Sequence, residues 1–163
     1  MGHPIMANAK TKEFEIYVEV NADTTADNQT LDMTDYVDIA DNQAFEVHEC
    51  DIVLDPTVDM TGFATDGEFI FQLADSNIQA FVSHADRTSL FICRQSYPQT
   101  LQMFEQTSFP TLVPLIVSKT LWLRNESYGL NNIAFTLRIR GRIVSPSAKD
   151  YMALVLTQTG NVA

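Results

Sequence analysis

The chain has 163 residues, 45% apolar and 19% charged, with ten Phe and five Tyr. That balance excludes a disordered polymer and supplies one domain with a core burying roughly 70% of the surface its unfolded form exposes. No apolar run reaches the roughly 18 to 20 residues of a membrane-spanning helix, and residues 1–10 lack the basic and apolar regions of a signal peptide, so a soluble product is expected. A formal net charge of −11 argues against a free-standing nucleic-acid binder, whose affinity comes largely from neutralising phosphates.

Residues 13–20 alternate strictly, with Phe14, Ile16, Val18 and Val20 on one side and Glu13, Glu15, Tyr17 and Glu19 on the other. This pattern predicts a strand with one buried face, preceded by an N-terminal arm over residues 1–12. Residues 21–30 are polar and turn-prone and read as a loop. Residues 31–40 fit neither the helical nor the strand period, and their state stays open. Residues 44–54 form a long strand candidate in which Phe45 and Val47 alternate with Glu46 and His48 before Cys50 and Ile52 take over; that change of side requires a bulge.

Asp66-Gly67 signals a turn, and Phe69, Phe71 and Leu73 then share one face of the next strand. Residues 78–83 and 89–95 read as two short strands joined by a polar link. Three prolines between residues 98 and 114 exclude a long helix or a central strand, and an extended loop is expected there. Residues 115–123 and 132–144 are the late strands, separated by a turn region over 125–132. Ser147, with Asp150 three residues on, starts a helix as N-cap, and a short helix or a final strand follows through residues 151–156. Seven or eight strands with almost no amphipathic helix define an all-β antiparallel sandwich or barrel in a single domain over residues 13–163.

Charge is unevenly distributed. Residues 1–75 hold seventeen acids against Lys10 and Lys12, whereas residues 76–163 hold four acids against eight bases. Arg138, Arg140 and Arg142, two apart in a strand, leave the sheet on one face. A stripe of this kind suits a partner molecule, lipid head groups or packaged nucleic acid. Internal pairing with the matching stripe of Glu13, Glu15 and Glu19 is favoured over these, and it makes the first and last long strands neighbours, each opposite-charge pair adding roughly 0.2 to 1 kcal/mol.

Motifs for chemistry are absent. His3, His48 and His84 have no metal-ligand spacing, and no nucleophile elbow, phosphate loop or dinucleotide fingerprint occurs. No catalytic, cofactor-binding or metal-binding residue is therefore assigned. Asp51, Asp55 and Asp59, with the crowd of Asp23, Asp27, Asp32, Asp35, Asp38 and Asp41, hold oxygens of the kind Ca²⁺ takes, but no EF-hand pattern is present and a solvated acidic face is favoured. Cys50 and Cys93 lie in apolar segments and read as buried thiols. Asn28-Gln29-Thr30 and Asn125-Glu126-Ser127 match the glycosylation triplet, and without a secretion signal a chance match is favoured. Trp122, between Leu121 and Leu123, is either a core residue or a subunit-contact anchor, and core is favoured.

First-and-last strand adjacency in an eight-strand antiparallel sandwich is what a single jelly roll requires. Two stretches, Leu31-Asp32-Met33-Thr34-Asp35-Tyr36-Val37-Asp38-Ile39-Ala40-Asp41-Asn42-Gln43-Ala44-Phe45-Glu46-Val47-His48 and Arg138-Ile139-Arg140-Gly141-Arg142-Ile143-Val144 with Asp150-Tyr151-Met152-Ala153-Leu154, resemble the small capsid proteins of tailless icosahedral viruses of archaea and bacteria, the sphaerolipovirus type. The resemblance covers about a third of the chain. It implies a jelly roll of the virion shell, standing over an internal membrane and assembling with copies of itself and other capsid proteins, with contact to membrane or packaged genome and with no small-molecule substrate. Those shells commonly use two small capsid proteins, and the residues do not say which this is. Arg138, Arg140, Arg142 and Trp122 are the interface candidates. A carbohydrate-binding or adhesive sandwich, with Tyr97, Phe104 or Tyr128 lining a groove, is the competing expectation, and a cupin-like enzyme a third.

Overall fold

A computed structural model describes residues 7–22, 27–57, 67–83, 85–86, 88–97, 105–109, 115–117, 120–128 and 133–159. Its strands are β1 (Ala7–Ala9), β2 (Phe14–Ala22), β3 (Asp27–Asp32), β4 (Ala44–Leu54), β5 (Gly67–Ala74), β6 (Ser89–Tyr97), β7 (Glu105–Phe109), β8 (Leu115–Val117), β9 (Thr120–Tyr128) and β10 (Ile133–Pro146), followed by a helix, α1 (Ala148–Thr159). One sheet runs β2-β10-β4-β8, with β1 also on β10; the other runs β3-β9-β5-β6-β7; every pairing is antiparallel.

The pairings nest. Setting β1 and β7 aside, the first strand pairs with the last (β2 with β10), the second with the second-last (β3 with β9), the third with the third-last (β4 with β8), and the middle two with each other (β5 with β6). A long antiparallel ribbon folded over on itself gives this order, and it is the jelly roll: eight strands in two packed sheets. The expected all-β sandwich and the adjacency of first and last long strands are both present.

The sheets meet through aromatic side chains. Phe135 of β10 stacks on Phe69 of β5 at 5.2 Å between centroids and meets Phe71 edge-on at 5.5 Å; within the first sheet Phe14 and Phe45 make an edge contact at 5.5 Å. Phe45, Phe69, Phe71, Phe91 and Phe135 are all buried. Each removes enough apolar surface from water to contribute roughly 1.5–3 kcal/mol. Cys50 and Cys93 are buried free thiols in the same core.

The bulge demanded by the 44–54 pattern is observed. Arg140 pairs with Glu49 but Gly141 pairs with Val47, leaving His48 as the extra residue. Phe45 and Val47 face the core before it, and Cys50 and Ile52 after it. Gly141 is obligatory here: a Cβ would lie 2.7 Å from Cζ of Phe45 and closer still to the Glu46 carbonyl oxygen.

Several local expectations are corrected. The loop expected over residues 21–30 contains most of β3, because β9 supplies partners to a polar edge segment whose Asp27, Asn28 and Asp32 are disfavoured in strands. Residues 31–40 hold a 3-10 turn, Met33–Asp35; its Met33, with Val37 just after it, plugs into the core. No strand forms at residues 78–83. The segment expected as one strand over 115–123 is two, β8 in one sheet and β9 in the other, and β9 continues to Tyr128 through the expected turn. The proline-bracketed stretch carries β7, at the rim of its sheet, where proline neighbours are tolerated. Ser147 caps α1 as expected: its Oγ accepts from the Asp150 N–H at 3.2 Å and donates to the Asp150 carboxylate at 2.7 Å.

Candidate functional site

The arginine stripe lies at the centre of the first sheet. β10 runs between β2 and β4, so its outward residues are flanked on both sides: Arg138 by Tyr17 and Asp51, Arg140 by Glu15 and Glu49, and Arg142 by Glu46 on the β4 side. Arg138 donates through Nε to Asp51 Oδ1 at 2.9 Å and through Nη2 to Oδ2, and lies 3.7 Å from Glu15. Arg140 pairs with Glu49, and Arg142 donates through Nε to Glu46 at 3.0 Å. The hydrogen bonds that Arg138 donates to Asp51, with the charge of that carboxylate, push the Arg138 pKa up.

Internal pairing therefore dominates, but its partners differ from those expected. The acids of β4, not the Glu13, Glu15 and Glu19 stripe, make the close contacts. Glu15 reaches Arg138 only loosely and accepts from the Tyr17 hydroxyl. Glu19 stands opposite Thr136 and finds no base among the described residues. Glu13 binds His48 Nδ1, and His48 Nε2 lies against Glu46, so the bulged histidine ties the start of β2 to β4. That contact holds the Glu13 carboxyl below its ordinary value.

Trp122 is the second correction. Leu121 and Leu123 face the core, which turns Trp122 to the outer face of the second sheet, half-buried between Thr30 and Ala74 in register. Strand parity decides this, since the two flanking leucines occupy the inward positions. Much of that outer face is covered. The connection after β5 folds back over it, and the buried Gln72 holds it in place: its Oε1 accepts from the Val82 N–H at 2.9 Å, and its Nε2 donates to the Val82 carbonyl at 3.0 Å and to Ser89 Oγ at 2.9 Å. The Arg124 guanidinium lies 5.3 Å from the centroid of the Phe81 ring, as a cation–π contact.

The acidic stretches form turns. Asp32 accepts from Thr34, Asp55 from Thr57 and Asp86 from Thr88, each through both backbone N–H and hydroxyl. The repeated Asp-x-Thr spacing was the legible signal for these turns. Asp51 and Asp55 are separated into a strand and a turn, and Asp59 lies outside the described residues. Among the described residues no group of three or more His, Cys, Asp or Glu is placed to hold a metal. Asn125 is wholly buried on the inner side of β9, out of reach of glycosylation as folded. Burial pushes the Cys50 thiol up to about 12, with the Asp51 and Glu49 charges adding to it, so it is an inert packing group. Tyr128 is exposed at the end of β9, whereas the side chains of Tyr97 and Phe104 lie outside the described set.

The fold class is thus a single jelly-roll sandwich, defined by this chain's own strand order. No family model matches the sequence, and no curated protein matches it. A solved chain from Desmodium yellow mottle tymovirus is similar in structure, with 7% identity over 90% of this chain and 93% of that one and a TM-score of 0.39.

Proposed function

We propose that the chain is a structural protein of a virus shell, located in the virion and assembling with copies of itself and other capsid proteins into an icosahedral particle. The observation that carries this reading is how the sandwich is filled. Jelly rolls serve as shell subunits, as lectins or as cupin enzymes. A cupin needs an interior space lined by ligands, and here Phe69, Phe71, Phe91 and Phe135 occupy the space between the sheets. Edges, loops and outer faces are what remain for meeting other molecules, and they favour a structural role over a catalytic one.

Within this reading Arg138, Arg140, Arg142 and Trp122 belong to contact regions. Each arginine already has a carboxylate partner, so the stripe fits a protein surface that exchanges ion pairs better than it fits a packaged genome. The finer assignment, a sphaerolipovirus-type subunit over an internal membrane, rests on the resemblance of residues 31–48, 138–144 and 150–154. Electron microscopy and sedimentation of the purified chain test the proposal: capsomers or closed particles are expected. A monomer across all concentrations and salt conditions, or glycan binding by that monomer, overturns it.

A further inference from the structure

The free edge of β2 has features that the shell reading does not use. β2 pairs with β10 in one unbroken register from Ala22 opposite Ile133 to Phe14 opposite Gly141, and among the described residues no strand lies on its other side. Alternate backbone N–H and C=O groups therefore face outward over nine residues. Natural edges are usually blunted by a proline, a bulge, a lysine or shortness, and β2 has none of these. Its protection is of a different kind: Glu13, Glu15 and Glu19 along one face.

That row decides what can pair there. A second copy laid antiparallel would bring three carboxylates from each strand onto one face with no base between them. Centred on Tyr17, such a pairing opposes Glu15 to Glu19; centred on Val18, it puts the two Glu19 side chains on the diagonal. Like charges so placed are destabilising. The occupied edge shows the complementary pattern: β10 sets Arg138 and Arg140 opposite Tyr17 and Glu15, and its inward Leu137 and Ile139 beside Val18 and Ile16. Glu19 has no base among the described residues, and Phe14 and Val18 are only half-buried against the core.

We infer that the free edge of β2 docks an extended segment of a different protein, one that alternates Lys or Arg with apolar residues and adds to the sheet as a further strand. The row of Glu15 and Glu19 reads the bases, Phe14 and Val18 take the apolar side chains, and the backbone supplies most of the attachment. This inference does not depend on the shell reading, since it concerns one strand edge of the isolated chain.

The test uses the intact protein and a capped peptide of about nine residues alternating Lys and Val, with a peptide of the same length and charge in which prolines replace valines and an alternating Glu–Val peptide as controls. Amide hydrogen exchange of residues 14–22 is expected to slow about tenfold with the Lys–Val peptide alone, with the effect fading as salt rises. The Glu15→Gln/Glu19→Gln double variant, its fold checked by circular dichroism, is expected to bind about tenfold more weakly. Protection elsewhere with β2 unchanged, equal binding of either control peptide, or salt-independent dimerisation of the protein alone through residues 14–22 each overturns the inference.

Discussion

The outer faces of the two sheets are built in opposite ways. Over β10 and β4 the outward Arg138, Arg140 and Arg142 lie partly in water and neutralise Asp51, Glu49 and Glu46 across strands. Over β5 the outward Gln72 and Ala74 are wholly buried, Gln72 beneath the connection after β5, which it holds by hydrogen bonds, and Ala74 beside Trp122. A charge ladder leaves its sheet available to partners, whereas a hydrogen-bonded flap closes its own. The inward faces differ as well: β10 presents an apolar row, while β9 turns Asn125 and Ser127 toward the core beside Phe69 and Phe71.

If the difference is confined to the outer faces, the shared core should treat both sheets alike. Phe135→Ala, which removes the ring wedged between Phe69 and Phe71, is expected to cost about 3–5 kcal/mol in urea unfolding. Amide protection should then fall in both sheets together. Loosening of only one sheet would break the comparison.

The next effect belongs to the charged sheet. In Gly141→Ala the added methyl meets the Phe45 ring and the Glu46 carbonyl at the bulge, and β4 must move away from β10. A loss of about 3 kcal/mol is expected, with exchange accelerating in β4 and β10 ahead of β5 and β9. Wild-type stability in this variant would mean that the bulge is not packed as described.

The flap supplies the counterpart. Gln72→Leu keeps the volume but leaves the Val82 N–H and carbonyl without their partner, and about 1–2 kcal/mol is expected to be lost. Hydrogen exchange should rise over residues 75–83 and stay unchanged in β2. Uniform loosening of both sheets would show that the flap is not an independent cover.

The same contrast explains what the sequence made legible. In β2, β4 and β10 one face is solvated, so apolar and charged residues alternate cleanly, and strand limits, the bulge and the arginine stripe could all be read. The flap removes that contrast around β5. Gln72 and Ala74 are buried on the side that the pattern assigns to water, and the flap's own Ile78 and Phe81 pack without forming the strand expected there. β3 was missed because its stability lies in its partner, and the β8–β9 break because the three polar residues 118–120 that mark it in the sequence were read through as part of one strand. Trp122 fails for a related reason: between two leucines, only the parity of the strand tells which way it points.

The smallest expected effect is in pH dependence, and it separates the two faces most cleanly. Glu13 is exposed, and its carboxyl is held below the ordinary value of 4.5 chiefly by the hydrogen bond from His48, with the charges of His48, Arg140 and Arg142 adding to this against partial desolvation. A carboxyl more acidic in the folded chain than in the unfolded one binds fewer protons in the native state. Its contribution is therefore complete above the unfolded pKa and disappears as pH falls through the folded one. Glu13→Gln should accordingly be less stable than wild type near neutral pH, with the gap closing as acidification carries the pH below the ordinary carboxyl value of 4.5 and shrinking as salt rises. Gln72→Leu, which touches no titrating group in the flap, should keep its deficit across the same range. Acid limbs that coincide for wild type and Glu13→Gln would mean that the His48 tie contributes nothing, and the charged face would then be held by its arginines alone.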